Sequence, residues 1–181
     1  MFTQDEKCCS WARKVVLRRT RELNKVLKTP EKVCVFDIGH NTGDFVSTAF
    51  KVFGKDTIVH AFEPNIDVEF LYENNPSVVL NRIAISNETG YFPFFVPTKL
   101  NEQKSSSHLA SLSNRPCFST FKDAYVKTGR VFVSTVDAYC SEKNIDYIDY
   151  LKVDTEGYEL EVFQGALKLL SSKLSLKEAI R

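Results

Sequence analysis

Val33-Cys34-Val35-Phe36-Asp37-Ile38-Gly39-His40-Asn41-Thr42-Gly43-Asp44 is the stretch whose reading decides the fold. Its apolar first half suits a strand covered on both faces. Gly39 ends that strand where the chain turns sharply and comes close to a ligand. Gly43 permits close packing as a helix begins. A buried strand, a glycine turn and a helix start form the first unit of an open α/β sheet. Such sheets bind small molecules beyond the carboxyl ends of their strands.

The turn also bears on the charge of the ligand. A dinucleotide site wants G-x-G-x-x-G, with bare amides and a positive helix end for pyrophosphate. Here the middle glycine is missing, and Asp37 and Asp44 flank the turn. Two carboxylates there repel a phosphate and attract a cation. About twenty residues on, Ile58-Val59-His60-Ala61-Phe62 reads as a second buried strand and ends in Glu63-Pro64. An acid at that distance can accept both hydroxyls of a ribose. A ligand with a ribose, no phosphate and a positive charge fits, and S-adenosylmethionine has all three features. The plainer alternatives are that Asp44 only favours the helix dipole and that Asp37 is a satisfied strand-end acid.

Composition bounds the rest. A chain of 181 residues is one domain with room for a core. A net charge of +1 gives no whole-protein field for nucleic acid. Cys8, Cys9, Cys34, Cys117 and Cys140 are odd in number and form no C-x-x-C pair. That argues against a disulfide framework and against a zinc site, so no metal is expected, and it suits a reducing compartment. No apolar run is long enough to span a bilayer, and the N-terminus lacks the apolar core of a signal peptide. The expectation is a soluble, cytoplasmic protein.

Residues 1–30 are expected to hold an amphipathic helix, with Trp11, Val15, Val16, Leu23, Val26 and Leu27 on one face and a basic remainder. Residues 31–181 make the catalytic-type domain. Its expected elements are a helix from Gly43 to Phe53 ended by Gly54, and a helix from Ile66 to Asn74 capped by Asn65. A strand from Val78 to Ser86 should pair with Tyr91–Val96 as an edge hairpin around the turn Asn87-Glu88-Thr89-Gly90. Residues 98–129 are polar and aperiodic and read as a loop-like insertion. Arg130–Val136 is strand-like, and Ser134 or Thr135 can cap the short helix after it. Ile148–Val153 is an apolar strand, and one helix runs from Glu159 to Ser171. Strands alternating with helices give a parallel, layered α/β fold.

Asp154-Thr155-Glu156-Gly157-Tyr158-Glu159 is a second constellation, at the same sheet edge as Asp37 and Glu63. Asp154 and Glu156 can both face a pocket there, as a general base, a substrate hydrogen-bond partner or a ligand for a divalent metal. The alternative is a cluster of acids that favours a helix start, which suits Glu159 and Glu161.

These blocks carry a resemblance. Val35 to Gly43, then Ala61-Phe62-Glu63-Pro64-Asn65, Asn81-Arg82-Ile83-Ala84-Ile85-Ser86, Ser134-Thr135-Val136-Asp137, and Leu151 to Glu159 with Gly165-Ala166, taken in order, resemble the FkbM-type methyltransferases. The resemblance implies a three-layer, Rossmann-like class I methyltransferase fold with a mostly parallel sheet. It implies S-adenosylmethionine as cofactor and methylation, mostly at hydroxyl oxygens. It also implies that Asp37, Gly39, His40, Asn41 and Gly43 shape the methionine end of the site. Glu63 with Pro64 would hold the ribose, Ile83 and Ala84 would border the adenine, and Asp154 and Glu156 would face the transferred methyl or the substrate. His40 stands where the family more often has a small residue, and Ser106 and Ser107 match a serine-containing segment.

The proton of a hydroxyl acceptor would go to Asp154, Glu156 or His108. The acceptor would be a small molecule, sugar or lipid. A methyltransferase-like module that binds without catalysis and a nucleotide-cofactor oxidoreductase are the alternative classes. The resemblance further implies strands after Ser171, which residues 173–181 do not supply. The strand Ile148–Val153 is then expected at an open sheet edge, prone to self-association.

Overall fold

The computed structural model describes residues 32–97, 110–113 and 126–173. The sequence expectations for the N-terminal helix, for most of 98–129 including Ser106, Ser107 and His108, and for residues 174–181 lie outside the described residues.

Four parallel strands form the central sheet: β1 (Cys34–Ile38), β2 (Ile58–Phe62), β3 (Val78–Asn81) and β7 (Tyr150–Val153), in the order β3-β2-β1-β7. A second, mixed sheet holds β4 (Ala84–Ile85), β5 (Gly90–Pro97) and β6 (Val126–Ser134) in the order β4-β6-β5. Helices α1 (Asp44–Phe53), α2 (Val136–Lys143), α3 (Glu159–Gln164) and α4 (Leu167–Lys173) complete the described elements. This is an α/β, Rossmann-like arrangement. Among the described residues β7 ends the central sheet's order.

The period-two alternation of β1 divides its side chains between two cores. Val33 and Val35 pack with Val46 and Ala49 of α1 and with Val59, Ala61 and Val78. Phe36 and Ile38 pack on the other face with Phe62, Ile85, Val136, Tyr139, Val162 and Ala166. Apolar residues on both faces explain why these strands read as continuous apolar runs. Cys34 and Cys140 are free, and burial pushes their thiols up to about 12 and about 11.

Five local expectations are corrected. Residues 66–74 form turns, not a helix. The Asn65 side chain accepts from the Asp67 N–H, but the Arg82 guanidinium takes the Asn65 and Val68 carbonyls at 2.6 and 2.8 Å. Those carbonyls are the acceptors a helix needs to propagate. The expected strand 78–86 is broken at Arg82-Ile83, and its second part joins the other sheet. β5 pairs antiparallel with β6 over Gly90–Pro97, and not with the strand preceding it, because β6 lies between β4 and β5. β6 also starts at Val126, inside the expected loop. Finally, the helix after β7 stops at Gly165 and restarts at Leu167. Asp137 of α2 supplies the restart, its carboxylate accepting the N–H groups of Lys168 and Leu169 at 2.9 and 3.0 Å. Thr135, rather than Ser134, caps α2, accepting from the Ala138 N–H at 3.0 Å.

Candidate active site

The carboxyl ends of β1, β2 and β7 open into one cavity. Its lining includes Ile38, Gly39, Asn41, Phe62, Glu63, Pro64, Ile83, Ala84, Phe94, Ser111, Asp154 and Glu156. β1 and β7 approach closely there. Gly39 has a φ of 78°, and a Cβ on it would collide with the Asp154 carbonyl oxygen. Only glycine meets both demands. Two backbone bonds fix the turn, from the Gly39 and His40 N–H groups to the Phe62 carbonyl at 3.1 and 3.0 Å.

Glu63 is 8% exposed and lines the cavity. Its Oε2 accepts from the Asn41 N–H at 2.9 Å and its Oε1 from the Asn65 N–H at 2.8 Å. The carboxylate therefore joins the end of β2 to the glycine turn after β1. Each oxygen keeps a further lone pair for a ligand. Burial holds the carboxyl above its ordinary range, against the lowering effect of those two N–H groups.

Asp37 takes a different place from the one expected. Period two turns it away from the cavity-lining Ile38, onto the α1 face, where it is fully buried. Its Oδ2 meets His40 Nδ1 at 2.8 Å. Lys152 Nζ donates to the Gly39 carbonyl at 2.6 Å and meets Asp37 Oδ1 at 2.9 Å as a charge contact without hydrogen-bond geometry. Burial pushes the Asp37 carboxyl up, but the His40 hydrogen bond and the Lys152 charge outweigh it and hold it below its ordinary value. Asp37 and His40 thus serve the underside of the turn and do not line the cavity. Gly43 is absent from the lining too, and a Cβ on it would meet the His40 and Tyr72 rings. Asp44 is exposed in the first turn of α1. The repulsion of a phosphate expected from Asp37 is therefore weak, because a compensated carboxylate on the far face exerts little field on the cavity.

Of the residues expected to touch cofactor or substrate, the cavity brings together Gly39, Asn41, Glu63, Pro64, Ile83, Ala84, Asp154 and Glu156. Asp154 is largely exposed, with Lys152 Nζ 3.9 Å from its Oδ2. Phe94, Ser111, Leu112 and Tyr158 also line the cavity and were not anticipated in this role. Phe94 was signalled only as an apolar position of a strand, and Ser111 and Leu112 lie in a stretch without periodicity.

A glycine-turned β1, an acid ending β2 and an acidic turn after β7 thus meet in one cavity. The family profile described as the methyltransferase FkbM domain matches residues 37–175, well over half of the chain. The chain belongs to the FkbM methyltransferase family. No curated protein and no solved structure matches it. The matched range takes in Asp37 to Gly43, Glu63 and Asp154 to Glu159, which stand at the carboxyl ends of the neighbouring strands β1, β2 and β7. Among the described residues no helix is long and apolar enough to cross a membrane.

Proposed function

We propose that this FkbM-family protein is an S-adenosylmethionine-dependent methyltransferase that methylates a hydroxyl of a small-molecule, sugar or lipid acceptor. The observation that carries the reading is Glu63. It is a buried, cavity-lining carboxylate at the end of the second strand, with lone pairs left for paired hydroxyls. The neighbouring surfaces fit the rest of the nucleoside. Ile83, Ala84 and Pro64 offer an apolar face for adenine, and Gly39 lets the methionine portion approach the backbone.

When bound, S-adenosylmethionine supplies the methyl group as an electrophile on sulfur. The chain's own residues position and deprotonate. Glu63 and the Gly39 turn would orient the cofactor, and Phe94, Leu112 and Tyr158, which line the same cavity, would contact the acceptor. Holding nucleophile and methyl in line is where most of the acceleration arises. Asp154 or Glu156, both lining the cavity, would accept the proton of the acceptor hydroxyl.

Calorimetric titration with S-adenosylmethionine and, separately, with NAD tests the reading. Saturable binding of the former and none of the latter is the expected result. Binding of NAD alone would overturn it in favour of nucleotide-cofactor redox chemistry.

A further inference from the structure

The turn after β7 stands in a conformation its residues do not favour. Glu156 has a φ of 56° and Gly157 a φ of 105°. For glycine this is ordinary, but for glutamate it is the sparsely occupied left-handed region. Strain of this kind persists where the surroundings over-determine it, and it gathers at functional sites.

Two sets of bonds hold Glu156 there. From within the turn, Glu159 Oε1 accepts the N–H groups of Thr155 and Gly157 at 3.0 and 3.1 Å. From outside it, Ser111 Oγ donates to the Glu156 carbonyl at 3.0 Å, with the Thr155 carbonyl 3.4 Å away. Ser111 is itself immobilised. It is 2% exposed and exchanges two backbone hydrogen bonds with Phe95 of β5, at 2.9 and 3.0 Å. Its hydroxyl oxygen accepts from the Ser113 N–H at 3.1 Å. A serine fixed to the second sheet thus sets the backbone of an acid at the edge of the first. Ser111 and Glu156 line the same cavity as Glu63 and Gly39.

We infer that Ser111 is a positioning residue, which holds Glu156 in its left-handed pose so that the carboxylate meets the positive sulfonium of the bound cofactor. This rests on the cavity taking S-adenosylmethionine. It predicts a charge-dependent signature that needs no acceptor. S-adenosylhomocysteine has the same nucleoside and amino acid but a neutral thioether, so the ratio of the two affinities reads the field at the sulfur.

The experiment measures both affinities by calorimetry in the wild type, Ser111→Ala, Glu156→Gln and the double variant. The expected result is that Ser111→Ala keeps S-adenosylhomocysteine affinity but lowers the preference for S-adenosylmethionine about threefold. Glu156→Gln should lower it at least as much, and the double variant no further than Glu156→Gln alone, because both changes act through one carboxylate. Ser111→Cys, nearly isosteric but a weak donor, should show the same loss and serves if the alanine variant does not fold. An unchanged preference in the serine variants, an equal loss of both affinities, or losses that add in the double variant would each overturn the inference. If the wild type binds neither compound, the cofactor reading itself falls, and the inference with it.

Discussion

Asp37 and Lys152 stand opposite each other across the parallel pair β1–β7, carboxylate and ammonium 2.9 Å apart. Asp37 is fully buried and Lys152 is about one-fifth exposed, so the cation keeps part of its hydration and the anion none. The same ammonium donates to the Gly39 carbonyl. One side chain thereby neutralises the acid beneath the glycine turn and pins the turn itself.

Removing Lys152 should therefore be worse than removing a surface cation. Lys152→Met leaves Asp37 with His40 as its remaining charge-assisted partner. A loss of about 2–3 kcal/mol is expected, as for a buried group stripped of a partner. Urea denaturation of wild type and variant checks it. A loss within the range of an ordinary surface substitution would mean that the pair is screened by water.

The same network sets an acid-side slope. The folded-state pKa of Asp37 lies below its ordinary value of 3.8. The carboxylate's contribution is thus fully present above pH 3.8 and is lost as pH falls through the lower, folded value. Below pH 3.8 the stability of Asp37→Asn should fall less steeply than that of the wild type, as followed by denaturation at a series of acid pH values.

Glu63 works in the opposite direction. Its pKa is raised from 4.5, chiefly by burial. On acidification it should protonate before an ordinary glutamate does, so S-adenosylmethionine binding should weaken at a pH above 4.5. Glu63→Gln should bind less tightly but lose this pH step. Glu63→Ala should cost about 1.5–3 kcal/mol of binding, the range for hydrogen bonds to a charged group. Calorimetry across pH, on wild type and both variants, reads all three outcomes, and equal affinity of Glu63→Ala and wild type would remove the ribose assignment.

Gly39→Ala meets two obstacles at once, a positive φ and the Asp154 carbonyl. The strands β1 and β7 must part to admit the methyl. A destabilisation of about 2–3 kcal/mol is expected, together with weakened nucleoside binding. Thermal melting and titration on the same sample distinguish this from a purely local effect, which would leave the melting temperature in place.

The central sheet was legible in the sequence because its strands are covered on both faces and punctuated by glycine and proline. Cys34–Ile38, Ile58–Phe62 and the strand ending at Val153 all stand where their apolar runs lie. Period two also carries the information that Asp37 faces away from Ile38, although its place at a strand end suggests a residue facing the ligand. What misled elsewhere was partnership at a distance. Nothing within residues 65–74 announces that Arg82 takes their carbonyls. Alternation in Gly90–Pro97 shows which side chains face inward, not which strand pairs with it, and the true partner is separated from it by much of the aperiodic region. Ser111 gave no signal, because its importance lies in one hydrogen bond to a carbonyl of a turn 45 residues further along.

The cap that Asp137 places on α4 implies an order of assembly. A helix of seven residues is too short to stand alone in water. Its first amides are satisfied by a side chain from the start of α2, thirty-one residues earlier. The segment after Gly165 therefore acquires its helical form only once α2 has docked beside it. Loosening the start of α2 would therefore strip α4 of its cap.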